Sequence, residues 1–206
     1  HFTPSKKNIH EYLHSDQKFF LIRCTGFQAT HDLNKKGISD EILFEIIKIL
    51  EPIGKIFISS ERELPKQLIR YVLDINKNDI NHYMYYADLF ISDSTTMSTE
   101  AAILGTPSIE FDEYFYEIEQ MDELEKIYKL VHCYRTSDEE GFLMKVSELS
   151  SKSGIKNEYQ KRRDILIKEK IDVSAFLVWL FENYPNSVSG YISDESTEER
   201  FRSISS

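Results

Sequence analysis

The chain has 206 residues, 41% of them apolar, with 25 Lys and Arg against 35 Asp and Glu and a formal net charge of −10. This length fits one domain, or one domain with an appendage, and the apolar share fits a packed core. The acidic balance argues against a nucleic acid or an anionic membrane as the main partner, because holding such polymers needs basic surface; a small phosphorylated ligand can still be held by helix N-termini and a few cations.

In chain order, "KFFLIRCT" (Lys18 to Thr25) is a continuous apolar run and predicts a strand buried on both faces. "SDEILFEIIKIL" puts Ile42, Ile46, Ile49 and Leu50 on one helical face, with Ser39 as N-cap and Asp40 and Glu41 in the first turn. Pro52 and Gly54 end that helix, and "KIFISS" (Lys55 to Ser60) is the second predicted strand. A short helix is expected from Pro65, a weak third strand at "YVLDI", a helix at "NDINHYMYYA" and a fourth strand at "DLFIS". "TMSTEAAIL" is a helix stopped by Gly105, "PSIEF" a fifth strand, "DELEKIYK" a helix and "LVHCYR" a sixth strand. Two or three helices are expected from about Asp138 to Tyr184. After Pro185 the Ser- and Glu-rich sequence predicts a loosely packed tail, so residues 1–184 are read as the domain and 185–206 as the tail.

The strand–helix alternation implies an α/β fold built on a single doubly wound, Rossmann-like parallel sheet. No run is long and apolar enough to span a bilayer, and no signal peptide is recognisable. Cys24 and Cys133 lie in strand-like runs and read as core thiols of a reducing compartment, which leads us to expect a cytoplasmic protein. Because the first residue is His1, the sequence is read as a piece of a longer protein.

Ligands of such sheets bind outside the carboxyl ends of the strands. Three loops qualify: Thr25 to Ser39, Ser59 to Leu64, and Asp93 to Thr96. The first and last are expected to be neighbours. Ser94, Thr95 or Thr96 can cap the helix that follows. Glu100 does not complete a capping box, because the position three residues before it is Met97. Its helical neighbours Met97, Ile103 and Leu104 are apolar, so it needs a partner. Either a Lys or Arg supplies one, or Glu100 accepts hydrogen bonds from vicinal hydroxyls such as those of a ribose. In the latter case the helix start would hold phosphate.

The stretch "YYADLFISDSTTMSTEAAILGTPSI" resembles the corresponding segment of nucleotide-sugar enzymes of the GT-B type. More closely, it is similar to a prokaryotic family related to UDP-N-acetylglucosamine 2-epimerase. The shared pattern is Ala-Asp, an apolar strand, Asp-Ser, hydroxyl or small residues, Glu-Ala-Ala, then Leu-Gly-Thr-Pro. The resemblance implies that Glu100 binds the ribose of UDP and that Ser94, Thr95 and Thr96 bind the diphosphate. Many relatives have a glycine-rich turn where this chain has Ser-Thr-Thr. In the first loop Arg23 interrupts an apolar strand near its end, where it either reaches a ligand or pairs with Asp93 or a neighbouring acid. Gly26 permits a tight exit. His31 lies in a place similar to the epimerases' His-containing loop and is the candidate catalytic residue. Lys35 and Lys36 could add phosphate contacts, and Ser60 and Glu61 are further candidates.

The resemblance also implies that the chain is the C-terminal half of a GT-B protein, its ligand a UDP-sugar bound as substrate. A glycosyltransferase or epimerase reaction would then need an N-terminal acceptor domain that is not in this sequence. No metal and no separate cofactor are expected. In GT-B folds the last helix commonly crosses toward the other domain, so "VSAFLVWLFENY", with Trp179, could present an apolar patch to it; burial within this chain is the other outcome. Two rival readings remain. One is a non-catalytic regulatory or assembly module of the same fold, and the other a polyol-phosphate transferase of cell-wall type.

Overall fold

A computed structural model of the protein describes residues 2–6, 9, 17–26 and 37–202, the side chains of 77 and 195 excepted. Its strands are β1 (Phe19–Cys24), β2 (Lys55–Ser60), β3 (Leu89–Ser92), β4 (Ser108–Phe111) and β5 (Val131–Tyr134). All neighbours pair in parallel, in the order β2-β1-β3-β4-β5. The helices are α1 (Asp40–Leu50), α2 (Ile80–Tyr86), α3 (Thr95–Ile103), α4 (Glu119–Asp122), α5 (Glu139–Ser151), α6 (Ile155–Glu169), α7 (Val173–Glu182) and α8 (Asn186–Ser193).

Side chains alternate across each strand, and both faces are covered. Phe20 and Ile22 of β1 join Ile56, Ile58, Leu89 and Ile91 beneath Ile42, Leu43 and Ile46 of α1 and Phe142 and Val146 of α5. Phe19 and Leu21 join Phe57 and Phe90 beneath Tyr83 and Met84 of α2 and Ala101 of α3. Burial on both faces explains why these strands read as unbroken apolar runs. Each fully buried large side chain contributes about 1.5–3 kcal/mol. This is the doubly wound Rossmann-like sheet expected from the alternation, and it is consistent with one half of a GT-B fold.

Local sequence fixes the element ends. The Ser39 hydroxyl accepts the Ile42 amide at 3.3 Å and caps α1. Gly105, with φ of +70°, terminates α3. Gln160 donates to the carbonyls of Leu104 (2.9 Å) and Gly105 (3.1 Å), closing that end.

Three expectations are corrected. "YVLDI" is no strand: Lys66–Tyr71 winds into a 3₁₀ turn, which leaves only an isolated bridge between Ile58 and Val72. "DELEKIYK" is not one regular helix, because the short α4 runs into a wide π-type turn over Glu123–Ile127. Beyond Pro185 the chain is helical rather than loose. Phe201, in the 3₁₀ turn Glu195–Phe201, meets Phe176 of α7 edge to face and Trp179 at a tilt. Two aromatic residues of the tail, Tyr191 and Phe201, make its ring contacts with α7.

At the amino end of the sheet the Lys156 ammonium is buried. It donates to the Ala87 carbonyl (3.1 Å) and to Thr106 Oγ1 (2.6 Å), and Thr106 donates in turn to the Met84 carbonyl (2.7 Å). Burial lowers its pKa from 10.5 to about 7. A base with a depressed folded pKa favours folding where it is neutral, so its contribution is present above 10.5 and lost as pH falls to about 7. Urea melts should therefore show the parent gaining stability on Lys156→Met as pH rises through this window. A constant difference would mean that the buried amine does not titrate this way.

Candidate functional site

The strand order reverses between β1 and β3, so the crevice of the sheet opens where their carboxyl ends diverge. Asp93, directly after β3, sits there almost fully buried. One carboxylate oxygen accepts the Thr25 amide at 2.8 Å and the other the Ile38 amide at 3.1 Å. These amides flank the connection between β1 and α1, so a single carboxylate clamps both of its ends to β3. The first and last candidate loops are thus neighbours. Burial raises the Asp93 pKa from 3.8 to about 6, and the two amide bonds oppose that rise.

The α2/α3 face of the sheet ends in a polar row. Register aligns Ser59 of β2, Arg23 of β1, Ser92 of β3 and Glu110 of β4, one residue per strand. The Arg23 guanidinium donates to Ser59 Oγ at 2.9 Å and pairs with Glu61. Arg23 therefore pairs with an acid, but the acid is Glu61 rather than Asp93. The other Glu61 oxygen accepts the Gly26 amide at 3.3 Å and fixes the exit from β1. Beside the row lies a cleft of about 610 Å³. Arg23, Ser59, Ser60 and Glu61 form its polar side, and Val72, Leu73, Ile75, Ile80 and Met97 its apolar side. The failed third strand therefore supplies a wall instead.

Met97 belongs to the first turn of α3. Ser94 holds the N-cap position, but its side chain makes no cap hydrogen bond. Its own amide donates to Ser92 Oγ at 2.8 Å. Among the described residues the first-turn amides of α3 thus have no side-chain acceptor, which leaves a helix N-terminus able to receive an anion. Thr95 is half-buried and Thr96 exposed. Glu100, three residues after Met97 and so on the same helical face, is half-buried, and no ion pair or side-chain hydrogen bond reaches it among the described residues. His31, Lys35 and Lys36 lie outside the described residues.

Sequence reasoning passed over Glu110, which is fully buried. Its Oε2 accepts the Ser98 hydroxyl of α3, and its Oε1 has no partner among the described residues. The signal was visible: a carboxylate in the middle of the strand "SIEF". A second cavity, about 780 Å³, opens on the α1/α5 face between Ser39, Asp40, Arg62, Glu113, Thr136 and Glu139. There the starts of α1 and α5 are capped by their own Ser39 and Asp138, so this cavity lacks the open helix end of the crevice.

No protein-family model matches the sequence, and no curated protein matches it. Among solved structures the chain is similar to the spinosyn rhamnosyltransferase SpnG complexed with spinosyn aglycone, at 12% identity and a TM-score of 0.48, over 74% of this chain and 42% of that one. It is also similar to the glycotransferase of kitacinnamycin (9%, TM-score 0.49, 74% and 40%). A third is the wall teichoic acid polymerase TagF (18%, TM-score 0.46, 77% and 40%). The chain spans about two-fifths of the length of each, and at these identities the likeness concerns the fold.

Asp93→Asn tests the clamp. An amide offers one acceptor oxygen and turns an NH₂ toward the second backbone amide, so the variant should lose about 1–3 kcal/mol in denaturant melts. The parent should also lose stability relative to the variant as pH rises from about 4 to about 6, because an acid with a raised folded pKa favours folding when protonated. Equal stability would mean that the clamp holds nothing.

Proposed function

We propose that this chain is the nucleotide-sugar-binding half of a glycosyltransferase or sugar epimerase of GT-B type, and that its ligand is a UDP-sugar. The observation that carries the reading is an uncapped α3 N-terminus beside an apolar-walled cleft that Met97 lines, with Glu100, whose carboxylate has no partner among the described residues, one turn further along the same helix. The base lies in the cleft, between Ile75 and Ile80 on one side and Met97 on the other. The ribose hydroxyls donate to Glu100. The diphosphate meets the first-turn amides of α3 and the hydroxyls of Ser94, Thr95 and Thr96, with Gly26 giving the chain room at the exit of β1. His31 acts at the sugar diphosphate.

The same reading assigns the acceptor to an N-terminal domain beyond this sequence, so the chain alone binds but turns over little. The outer face of α7 fits that assignment. Val173, Leu177 and Phe181, spaced four residues apart, are 57%, 43% and 73% exposed, whereas Phe176 and Trp179 face the tail. The reducing environment suggested by the free thiols makes the protein cytoplasmic.

A thermal-shift panel of UDP, UDP-N-acetylglucosamine, CDP-glycerol, TDP, ATP and NAD separates this reading from its rivals. Ligand at about ten times its dissociation constant adds roughly 1.4 kcal/mol, or about 3–6 °C for a chain of this size. UDP compounds should give the largest shift. A shift with CDP-glycerol alone would favour polyol-phosphate transfer, as the TagF crystals soaked with CDPG invite one to test, and no shift at all would favour a non-catalytic module. Within the panel, Glu100→Gln should weaken UDP about tenfold or more. Its folding should be unchanged, since no described group depends on that carboxylate. Unchanged UDP affinity would remove Glu100 from the site.

A further inference from the structure

Glu61 has a place in the crevice that the binding reading leaves unused. Its amide donates to the Cys24 carbonyl at 3.0 Å, so its backbone prolongs the β1–β2 ladder past the end of both strands. Ser59 and Glu61, two residues apart, face the same side of the sheet. There the Glu61 carboxylate folds over the exit of β1: one oxygen pairs with the Arg23 guanidinium, and the other accepts the Gly26 amide at 3.3 Å. The two charged partners differ in solvation, the Arg23 side chain being 16% exposed and that of Glu61 50%. Arg23 is the cation among the described residues that line the cleft. Its Nη1 donates to Ser59 Oγ, and its buried Nε has no partner among the described residues. Neighbouring Ser60 is committed to its own turn, where its hydroxyl donates to the Arg62 carbonyl (2.7 Å) and accepts the Arg62 amide (3.1 Å).

A guanidinium and a backbone amide aimed at one carboxylate form a fork for an oxyanion. The fork selects charge and geometry, not Glu61 itself, so a phosphate brought by a ligand meets the same donors. Arg23 cannot leave the fork, because it is rooted in β1 between Ser59 and Ser92, and a largely buried cation needs an anion. Glu61 can leave. Its side chain is already half in water, and its backbone is held by the ladder. Register sets Arg23 beside Ser92, two residues before the Ser94 N-cap of α3 and one strand spacing away, about 4.8 Å. A diphosphate is long enough to touch both the fork and the start of α3.

We propose that Arg23 and the Gly26 amide form an oxyanion site that Glu61 closes from within the chain, and that the ligand's diphosphate opens it by taking the place of the Glu61 carboxylate. The diphosphate rests on the nucleotide-sugar reading; the exchange of one oxyanion for another at the fork does not. Glu61 is thus a built-in competitor, and anions bind more weakly than the donors alone allow. A purely structural ion pair gives the opposite sign, because removing Glu61 would then loosen Arg23 and weaken anion binding.

The test compares the parent with Glu61→Ala, Glu61→Gln and Glu63→Ala in titrations of inorganic pyrophosphate, UDP and uridine at about 0.15 M salt. The Gly26 amide is followed by NMR. Glu63 is exposed and two residues further along, so Glu63→Ala removes the same charge without touching the fork. Pyrophosphate should shift the Gly26 amide of the parent. Glu61→Ala should bind pyrophosphate and UDP about threefold or more tighter than the parent, with uridine unchanged. Glu61→Gln should change in the same direction by less, and it carries the comparison if Glu61→Ala does not fold. Glu63→Ala should match the parent. Equal or weaker pyrophosphate binding by the Glu61 variants overturns the proposal, as does an equal gain in Glu63→Ala or a Gly26 amide that pyrophosphate leaves in place. Tighter pyrophosphate binding by Glu61→Ala, with no binding of UDP or uridine to any of the proteins, sustains the oxyanion site and overturns the nucleotide reading instead.

Discussion

The crevice exists because one carboxylate bonds to both ends of one connection. β1 and β3 are hydrogen-bonded neighbours, yet the chain leaves them in opposite directions, from β1 toward β2 on one side and from β3 toward β4 on the other. Their carboxyl ends would splay without a cross-link. Asp93 supplies it by accepting the Thr25 and Ile38 amides. Buried amides need acceptors, and a carboxylate with two oxygens satisfies two at once. The clamp fixes where α1 starts, just after Ile38. Arg62 extends the same lock, donating to the Ile38 carbonyl at 3.0 Å and to Asp40 at 2.5 Å.

Polarity is arranged differently at the two ends of the sheet. At the amino end Asp88 accepts the Phe19 amide at 3.0 Å and Lys156 finds two acceptors, although Ser108 Oγ, at the start of β4, has no partner among the described residues. At the carboxyl end matching is incomplete. Arg23 Nε, Thr25 Oγ1 and Glu110 Oε1 are three of the six buried side-chain atoms without a partner among the described residues, and the start of α3 has no side-chain cap. Unsatisfied buried groups disfavour folding by about 1–3 kcal/mol each.

Much of this was legible in the sequence. Five of the six predicted strands form, since runs such as "FFLIRC" and "LFIS" are too apolar to sit anywhere but inside a doubly covered sheet. The crevice could be placed from the strand–helix alternation, and Ser39 and Gly105 marked element ends by their backbone chemistry alone. What failed depended on competition that a linear pattern does not encode. "YVLDI" has the residues of a strand, but the turn before it consumes Tyr71 and leaves Val72 as the single bridging position. The tail looked too polar to pack because a count of apolar residues does not weigh one well-placed ring, Phe201. Asp93 read as a partner for Arg23 because charge suggests charge, whereas its actual partners are backbone amides, which every residue offers and no sequence motif announces. Glu110 was legible in principle, as an acid among β-formers, but its bond to Ser98 joins positions twelve residues apart.

These features lie along one edge of the sheet. The α/β portion packs two apolar cores, one on each face of its sheet. Its carboxyl edge behaves otherwise. The cleft has an apolar wall and a polar wall, α3 opens its N-terminus toward the same side, and Glu100 stands half-buried without a described partner. A sheet edge selected for stability alone would cap α3 with Ser94 and replace Glu110 with a valine. The same reasoning separates this crevice from the larger cavity on the α1/α5 face. There the helix starts already carry their own caps and first-turn acids, so their dipoles are spent within the chain.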